Sequence, residues 1–318
     1  MPFFKAGAMT PTGAGARHPA LRDNSRTAIP SSCVIRPPTM TLSTPDNHNE
    51  PIAFIGGGNM ASALIGGLLR RGLPASLIQV VEPVAEQRAR LAQQFQVETS
   101  ETAGESLRKA ALVVWAVKPQ TFRDAAQQSR AQTHSALHLS VAAGIRSDTL
   151  AGWLGTERVV RAMPNTPALI GLGLTALFAR PAASAADRLA VERVVQPTGE
   201  LLWLDAEAQL DAVTALSGSG PAYVFYFIEA MVQAGADMGL SRAQAQQLAI
   251  GTFTGASALA KASSEPPEVL RERVTSKGGT THAALSCMEA GGLKALFIEA
   301  MQAARQRASQ MGDEFGAA

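Results

Sequence analysis

The stretch "IAFIGGGNMASALIGGLLRRG", residues 52–72, constrains this chain more than any other. A short apolar run from Ile52 to Ile55 meets three glycines, and a helical pattern then runs to Arg71 and stops at Gly72. That order is strand, tight turn, helix. The glycines fall as Gly56-x-Gly58-x-x-Ala61, one form of the dinucleotide fingerprint. Gly56 permits the turn, Gly58 lets the backbone approach a pyrophosphate, and Ala61 lets the helix pack close to the strand. The unpaired N–H groups and positive dipole end of the helix complete an anion site. Taken alone, the motif also reads as a structural glycine turn.

The pattern around it favours the dinucleotide reading. A second apolar run, "LIQVV" at residues 77–81, ends at Glu82, near the position about 20 residues on where such folds carry an acid. An acid there accepts from a ribose 2′-hydroxyl and repels a 2′-phosphate. A solvated strand-end carboxylate is the alternative, and Arg88 and Arg90 stand near enough in sequence to meet a phosphate. Next come a helical stretch, "VAEQRARLAQQF", and the apolar runs "ALVVWAV", "ALHLSVAAG" and "RVVRAMPNTP". Continuous apolar runs suit strands buried on both faces. Strands alternating with helices predict parallel units in a doubly wound α/β sheet. Ligands bind such sheets at the C-terminal strand ends. Three loops should lie there: Lys118-Pro119, Ala142-Ala143-Gly144 and Met163 to Pro167.

Composition narrows the function. The 318 residues allow two domains, and a net charge of +2 with 5% aromatics argues against a nucleic-acid or anionic-membrane surface. Two cysteines far apart, Cys33 and Cys287, give neither a metal pattern nor a disulfide framework, so no metal is expected and the chain reads as cytoplasmic. Residues 1–50 are rich in proline and basic side chains and too poor in apolar ones to order themselves. They read as a disordered extension; a transit peptide, or a true start at Met40, are the other readings.

Beyond "LTALFA" and "ELLWLD", two further strands, the chain turns helical. "LSGSGPAYVFYFIEAMVQAGADMGL" places Pro221 at a first helical turn and runs apolar on most sides, which calls for burial against a partner subunit. Ser241 caps the next helix. Then "VTSKGGTTHAAL", residues 274–285, ends one helix, turns at Gly278-Gly279 and opens another at Thr280-Thr281-His282. The free N–H groups at that opening form a ready carboxylate site, with hydroxyls from Ser276, Thr280 and Thr281 beside it. An ordinary helix start is the equal alternative. His282 adjoins Thr281 but belongs to another side of the helix.

With these segments in order, "FIGGGNMA", "AVKPQ", "SVAAGI", "RAMPNTPAL", "SGSGPAYVF" and "VTSKGGTTHAALSCMEAGG", the chain resembles the pyrroline-5-carboxylate reductase family over about residues 52–311. The resemblance implies a Rossmann-like doubly wound domain at residues 51–215 and an all-helical dimerisation and substrate domain at 216–318. It implies reduction of the C=N bond of 1-pyrroline-5-carboxylate to L-proline, usually with NADPH and sometimes NADH. It also implies a homodimer, with dimers assembling further, often into decamers, and the substrate site at the dimer interface. Carried over, Ile55, Gly56, Gly57, Gly58, Asn59 and Met60 wrap the pyrophosphate. Glu82, Ala116, Val117, Lys118, Pro119, Val141, Ala142 and Ala143 complete the cofactor site. Ser276, Gly278, Gly279, Thr280 and Thr281 hold the substrate, with Thr281 at the ring nitrogen as the catalytic group. Lys277 stands where proline is usual, Arg273 where a neutral residue is common, and Glu82 where the family often has a small or hydroxyl residue. Two rivals remain at the level of residues. A hydroxyacid dehydrogenase of similar architecture would want a supported lysine on its long helix, and Lys261 lacks one. A dinucleotide sensor would not need the hydroxyl turn.

Overall fold

The computed structural model describes residues 50–316; the expected N-terminal extension, all but Glu50, lies outside the described residues. The apolar runs become strands β1 (Ile52–Ile55), β2 (Ile78–Val81), β3 (Glu98–Ser100), β4 (Leu112–Trp115), β5 (Leu137–Ser140), β6 (Val159–Met163), β7 (Gly173–Ala179) and β8 (Gly199–Trp203). Helices α1 (Asn59–Arg70), α2 (Ala85–Phe95), α3 (Pro119–Thr133), α4 (Ser147–Leu154) and α5 (Ala185–Val195) connect them. One sheet results, in the order β3-β2-β1-β4-β5-β6-β7-β8. The chain leaves β1 toward β2 and β3, then returns past β1 to β4, so the order reverses between β1 and β4. A crevice opens at such a switch point.

Strand alternation fills both faces. Phe54, Val114 and Leu139 point to one side and pack on Leu64, Ile65 and Leu68 of α1, Leu91 of α2 and Val191 and Val194 of α5. Ile55, Val113 and Trp115 point to the other and meet Phe122 of α3 and Leu150 and Leu154 of α4. Period-two strands between two helical layers account for the unbroken apolar runs. Strands β1 to β6 pair in parallel, but β7 runs antiparallel to β6. Residues 164–172, which join them, are fewer than the dozen or so that a parallel crossover needs.

The remainder is helical: α6 (Gln209–Val213), a π-helical turn (Thr214–Gly218), α7 (Gly220–Asp237), α8 (Arg242–Ala262), α9 (Pro267–Arg273), α10 (Thr280–Ala290) and α11 (Leu293–Gly316). Pro221 lies in the first turn of α7, and Ser241 caps α8 in a reciprocal box with Gln244. Gly235 lets α7 approach α8, since a Cβ there would stand 2.8 Å from the Ala245 methyl. The buried residues of this pair are Val232, Gly235, Ala245 and Ala249, and no residue of α10 is buried. Phe225 and Tyr226 on α7 are 64% and 70% exposed, a large apolar surface left open by the single chain. Among the described residues no helix is long and apolar enough to cross a membrane.

Candidate functional site

The sheet brings the first set of expected site residues to one level. Register pairs Ile55 with Val81 and with Trp115, and Trp115 with Ser140. The segments that begin at Gly56, Glu82, Ala116 and Val141 therefore leave the sheet side by side. Gly56 donates to the Val81 carbonyl at 2.8 Å, Ala116 to Ile55 at 2.8 Å, and Val141 to Trp115 at 3.1 Å. Lys118 precedes α3 with an exposed side chain, and Pro119 occupies the first turn of that helix.

The three glycines have three environments. Gly56 sits at φ +93°, where a Cβ would lie 2.6 Å from the Ala116 carbonyl oxygen. Gly57 is buried, and a Cβ there would collide with Leu91. Gly58 is exposed and a Cβ would meet nothing within 4 Å, so its open side faces free space. Gly58 caps α1 with no side-chain bond, and the first helical bond is from Ser62 N–H to the Gly58 carbonyl at 2.9 Å. The N–H groups of Asn59, Met60 and Ala61 thus have no partner within the helix. No acid stands in that first turn.

Glu82 is not a solvated strand end. It is buried, its Oε2 accepting from Gly57 N–H at 2.8 Å and its Oε1 from Val84 N–H at 2.9 Å. Gln87 reinforces the same loop by donating to the Gly57 carbonyl. Sequence reading placed Glu82 beside the cofactor but missed that it holds the glycine loop in shape. The contact spans β1 to β2, and its only sequence signal is the acid at the end of the second strand.

Two further supports come from the helical part. The last turns of α11 lie on the loop after β5: Gly144, at φ +77°, has its missing Cβ position 3.0 Å from the Met311 Cβ. Arg146 pairs with Asp313 at 2.9 Å beside it. In the loop after β6, Asn165 accepts from Leu174 N–H at 2.9 Å and donates to the Ser217 carbonyl at 3.2 Å. It thereby joins the "MPNTP" loop to the π-helical turn. An apolar groove of about 550 Å³ opens there, lined by Asn165, Pro167, Tyr223, Phe227 and Phe297 among others. A second cavity, of about 500 Å³, lies at the opposite strand ends, beside Ala111, Leu137 and Arg158, and shares no residue with the strand-end loops.

The second set of expected residues stands apart from the first. After α9, Gly278 adopts φ +76° and Gly279 donates to the Ser276 carbonyl at 3.0 Å. Gly279 caps α10 without a side-chain bond, and Ala283 N–H makes the first helical bond, to the Gly279 carbonyl at 3.0 Å. The N–H groups of Thr280, Thr281 and His282 are left without a helical partner. Ser276, Lys277, Thr280 and His282 are exposed and Thr281 half-buried. Arg273 is engaged with Glu265 at 2.5 Å. Among the described residues every hydrogen bond of this turn is local, and none reaches the sheet. No group of three or more His, Cys, Asp or Glu gathers among the described residues.

Comparison with known proteins matches two families to different stretches of the chain. Residues 207–311 match the family described as pyrroline-5-carboxylate reductase dimerisation, and residues 51–144 match one described as NADP oxidoreductase, coenzyme F420-dependent. A pyrroline-5-carboxylate reductase of Pseudomonas aeruginosa is 46% identical over 267 residues, 83% of this chain and 98% of the relative. Among solved structures, a pyrroline-5-carboxylate reductase from Coxiella burnetii has a TM-score of 0.77 at 34% identity, covering 83% of this chain and 98% of the other. That of Plasmodium falciparum, with NADP bound, has a TM-score of 0.75 at 28% identity, covering 83% and 98%.

Proposed function

Because the chain belongs to the pyrroline-5-carboxylate reductase family, we propose that it reduces the C=N bond of 1-pyrroline-5-carboxylate to give L-proline, the last step of proline biosynthesis, with NADPH or NADH as reductant. The observation that carries the reading is the presence in one chain of two helix openings with unpaired N–H groups. One is the open glycine cradle at the sheet and the other the hydroxyl-lined turn at α10.

The cradle fits a dinucleotide. Gly58 leaves room where a side chain would stand, and the start of α1 offers free donors and no repelling acid. Ile55 to Met60 hold the pyrophosphate, and Ala116, Val117, Lys118, Pro119, Val141, Ala142 and Ala143 line the rest. Bound reduced nicotinamide supplies the hydride, and the protein supplies orientation and electrostatics. Residues 51–215 serve the cofactor and 216–318 serve dimerisation and substrate.

At the second opening, the N–H groups of α10 fix the substrate carboxylate, aided by the helix dipole. Ser276, Gly278, Gly279 and Thr280 shape that pocket. Thr281 Oγ1 bonds the ring nitrogen and orients it, with a modest part in proton delivery. An imine carbon accepts hydride readily once its nitrogen is protonated, so the turn needs no carboxylic acid of its own, and alignment is the main demand on the protein. The exposed apolar side chains of α7 support a homodimer that covers the turn and brings it to a cofactor site, with decamers as a further level of assembly. Cysteine usage favours the cytoplasm.

The test follows nicotinamide oxidation at 340 nm by purified protein given 1-pyrroline-5-carboxylate with NADPH or with NADH. Turnover with either is expected. Folded protein that binds the cofactor yet shows no turnover would move the chain to another imine substrate or to dinucleotide sensing.

A further inference from the structure

We infer that Glu82 makes the dinucleotide site select a free ribose 2′-hydroxyl, so that this chain uses NADH in preference to NADPH. The inference rests on the dinucleotide reading of the cradle and departs from the NADP-bound neighbour.

The position comes first. Glu82 follows β2, and its backbone N–H bonds the Ser100 carbonyl at 2.9 Å, which anchors it at the strand end. Its carboxylate lies directly beneath the phosphate loop. A Cβ on Gly57 would stand 3.3 Å from Oε2, and the two backbone bonds to Gly57 and Val84 leave the side chain one orientation. In folds of this kind the acid at this place meets the adenosine ribose.

Hydrogen-bond capacity decides next. An ionised carboxylate has about four acceptor sites. Two are taken, one on each oxygen, by Gly57 of the glycine loop and by Val84. The remainder can accept from a hydroxyl, which donates. A phosphate at neutral pH carries about −1.5 to −2 charge and offers chiefly acceptors. Beside Glu82 it would meet like charge with nothing to donate.

Among the described residues the cations beside this edge are engaged elsewhere or lie on another face. Arg88 is the basic residue nearest the strand end, but its Nη1 donates to the Glu82 and Pro83 carbonyls at 2.8 Å each. Its Nη2 lies 3.2 Å from the Glu101 carboxylate. Its charge is thus matched by a second acid, and both Nη1 hydrogens are given to backbone carbonyls. Arg90 follows two residues later on α2 and does not share that face. The first turn of α2 adds another acid, Glu86.

The experiment measures binding rather than turnover. The full chain is titrated with NADH and with NADPH, following nicotinamide fluorescence, and bound NADH is then displaced with 5′-AMP or with adenosine 2′,5′-bisphosphate. NADH should bind at least about tenfold more tightly than NADPH, a difference of ~1.4 kcal/mol, and 5′-AMP should displace better than the bisphosphate. In Glu82→Gln the gap should shrink to about threefold or less, mainly because NADPH binds better. Equal or tighter binding of NADPH by the unaltered chain overturns the inference, as does an unchanged gap in the variant. If the variant does not fold, the mononucleotide competition on the unaltered chain decides. Failure of both dinucleotides to bind is a different result, and it removes the cradle reading together with this one.

Discussion

His138 gives the fold a sensitivity to acid that can be worked out in advance. The side chain sits on β5 with no exposed surface. Its Nδ1 accepts from the Trp115 indole N–H at 2.9 Å, and its Nε2 meets the Thr133 carbonyl at 3.0 Å. An indole nitrogen can only donate. The neutral ring with its proton on Nε2 therefore satisfies both neighbours, and a second proton on Nδ1 would face another donor. Burial pushes the pKa down from 6.5 to about 4, with the Arg158 charge adding to it and the Thr133 carbonyl opposing it. The folded state thus resists a proton that the unfolded chain accepts. The stabilisation is full above pH 6.5 and is lost as pH falls toward about 4. At 1.36 kcal/mol per unit the whole effect is about 3 kcal/mol, of which about 2 kcal/mol is gone by pH 5. His138→Gln keeps an acceptor for the indole and a donor for the carbonyl but does not titrate. Urea unfolding of both chains at one fixed protein concentration, at pH 7 and pH 5, separates this residue from the carboxylates that the two chains share. The variant should lose about 2 kcal/mol less than the unaltered chain across that interval. Parallel losses would refute the reasoning. The consequence reaches the site, because Trp115 directly precedes the loop of Ala116 and Val117, and β5 runs into the loop of Val141 and Ala142.

Two substitutions probe the ends of the two expected subsites. Gly144→Ala puts a methyl at φ +77° and 3.0 Å from the Met311 Cβ, so it should cost about 1–3 kcal/mol of stability and weaken cofactor binding, read by thermal melts and by NADH titration. Thr281→Ala should lower kcat by about tenfold or more while the circular dichroism spectrum and the cofactor Kd stay unchanged; an unaltered kcat would remove Thr281 from the mechanism.

Much of the fold was legible because its signals are local. The glycine turn, the buried apolar runs, Pro221 in the first turn of α7 and the Ser241–Gln244 box each act within a few residues. The box formed by Ser184 and Asp187 at the start of α5 is a signal of the same kind, and it marks a helix that the sequence reading passed over. The direction of β7 was not legible, since a buried apolar run carries no mark of orientation and only the short link from β6 decides it. Long-range partners were equally hidden. The sequence shows that Glu82 is an acid after a strand, but not that one of its carboxylate oxygens accepts from a glycine 25 residues earlier. Nor does it show that Arg146 meets Asp313, 167 residues away.

These distant contacts bear on how a site of this kind works. Hydride transfer that relies on alignment needs both reactants held to a fraction of an ångström, and a misplacement of about 1 Å can cost ~100-fold in rate. The glycine loop is held by Glu82 and Gln87, and the loop after β5 is held by the last helix, through Met311 against Gly144 and Asp313 paired with Arg146. Asn165 fastens the next loop to the turn before α7. The proposed cofactor side is therefore braced by both halves of a single chain. Among the described residues the turn that opens α10 has no such brace: its hydrogen bonds are local and no residue of its helix is fully buried. The exposed apolar face of α7 calls for a cover, and a second copy of the chain supplies a matching face by symmetry. On the proposed reading, association is part of building the substrate site, and the glycine cradle, braced within one chain, should bind a dinucleotide even where the α10 turn is uncovered.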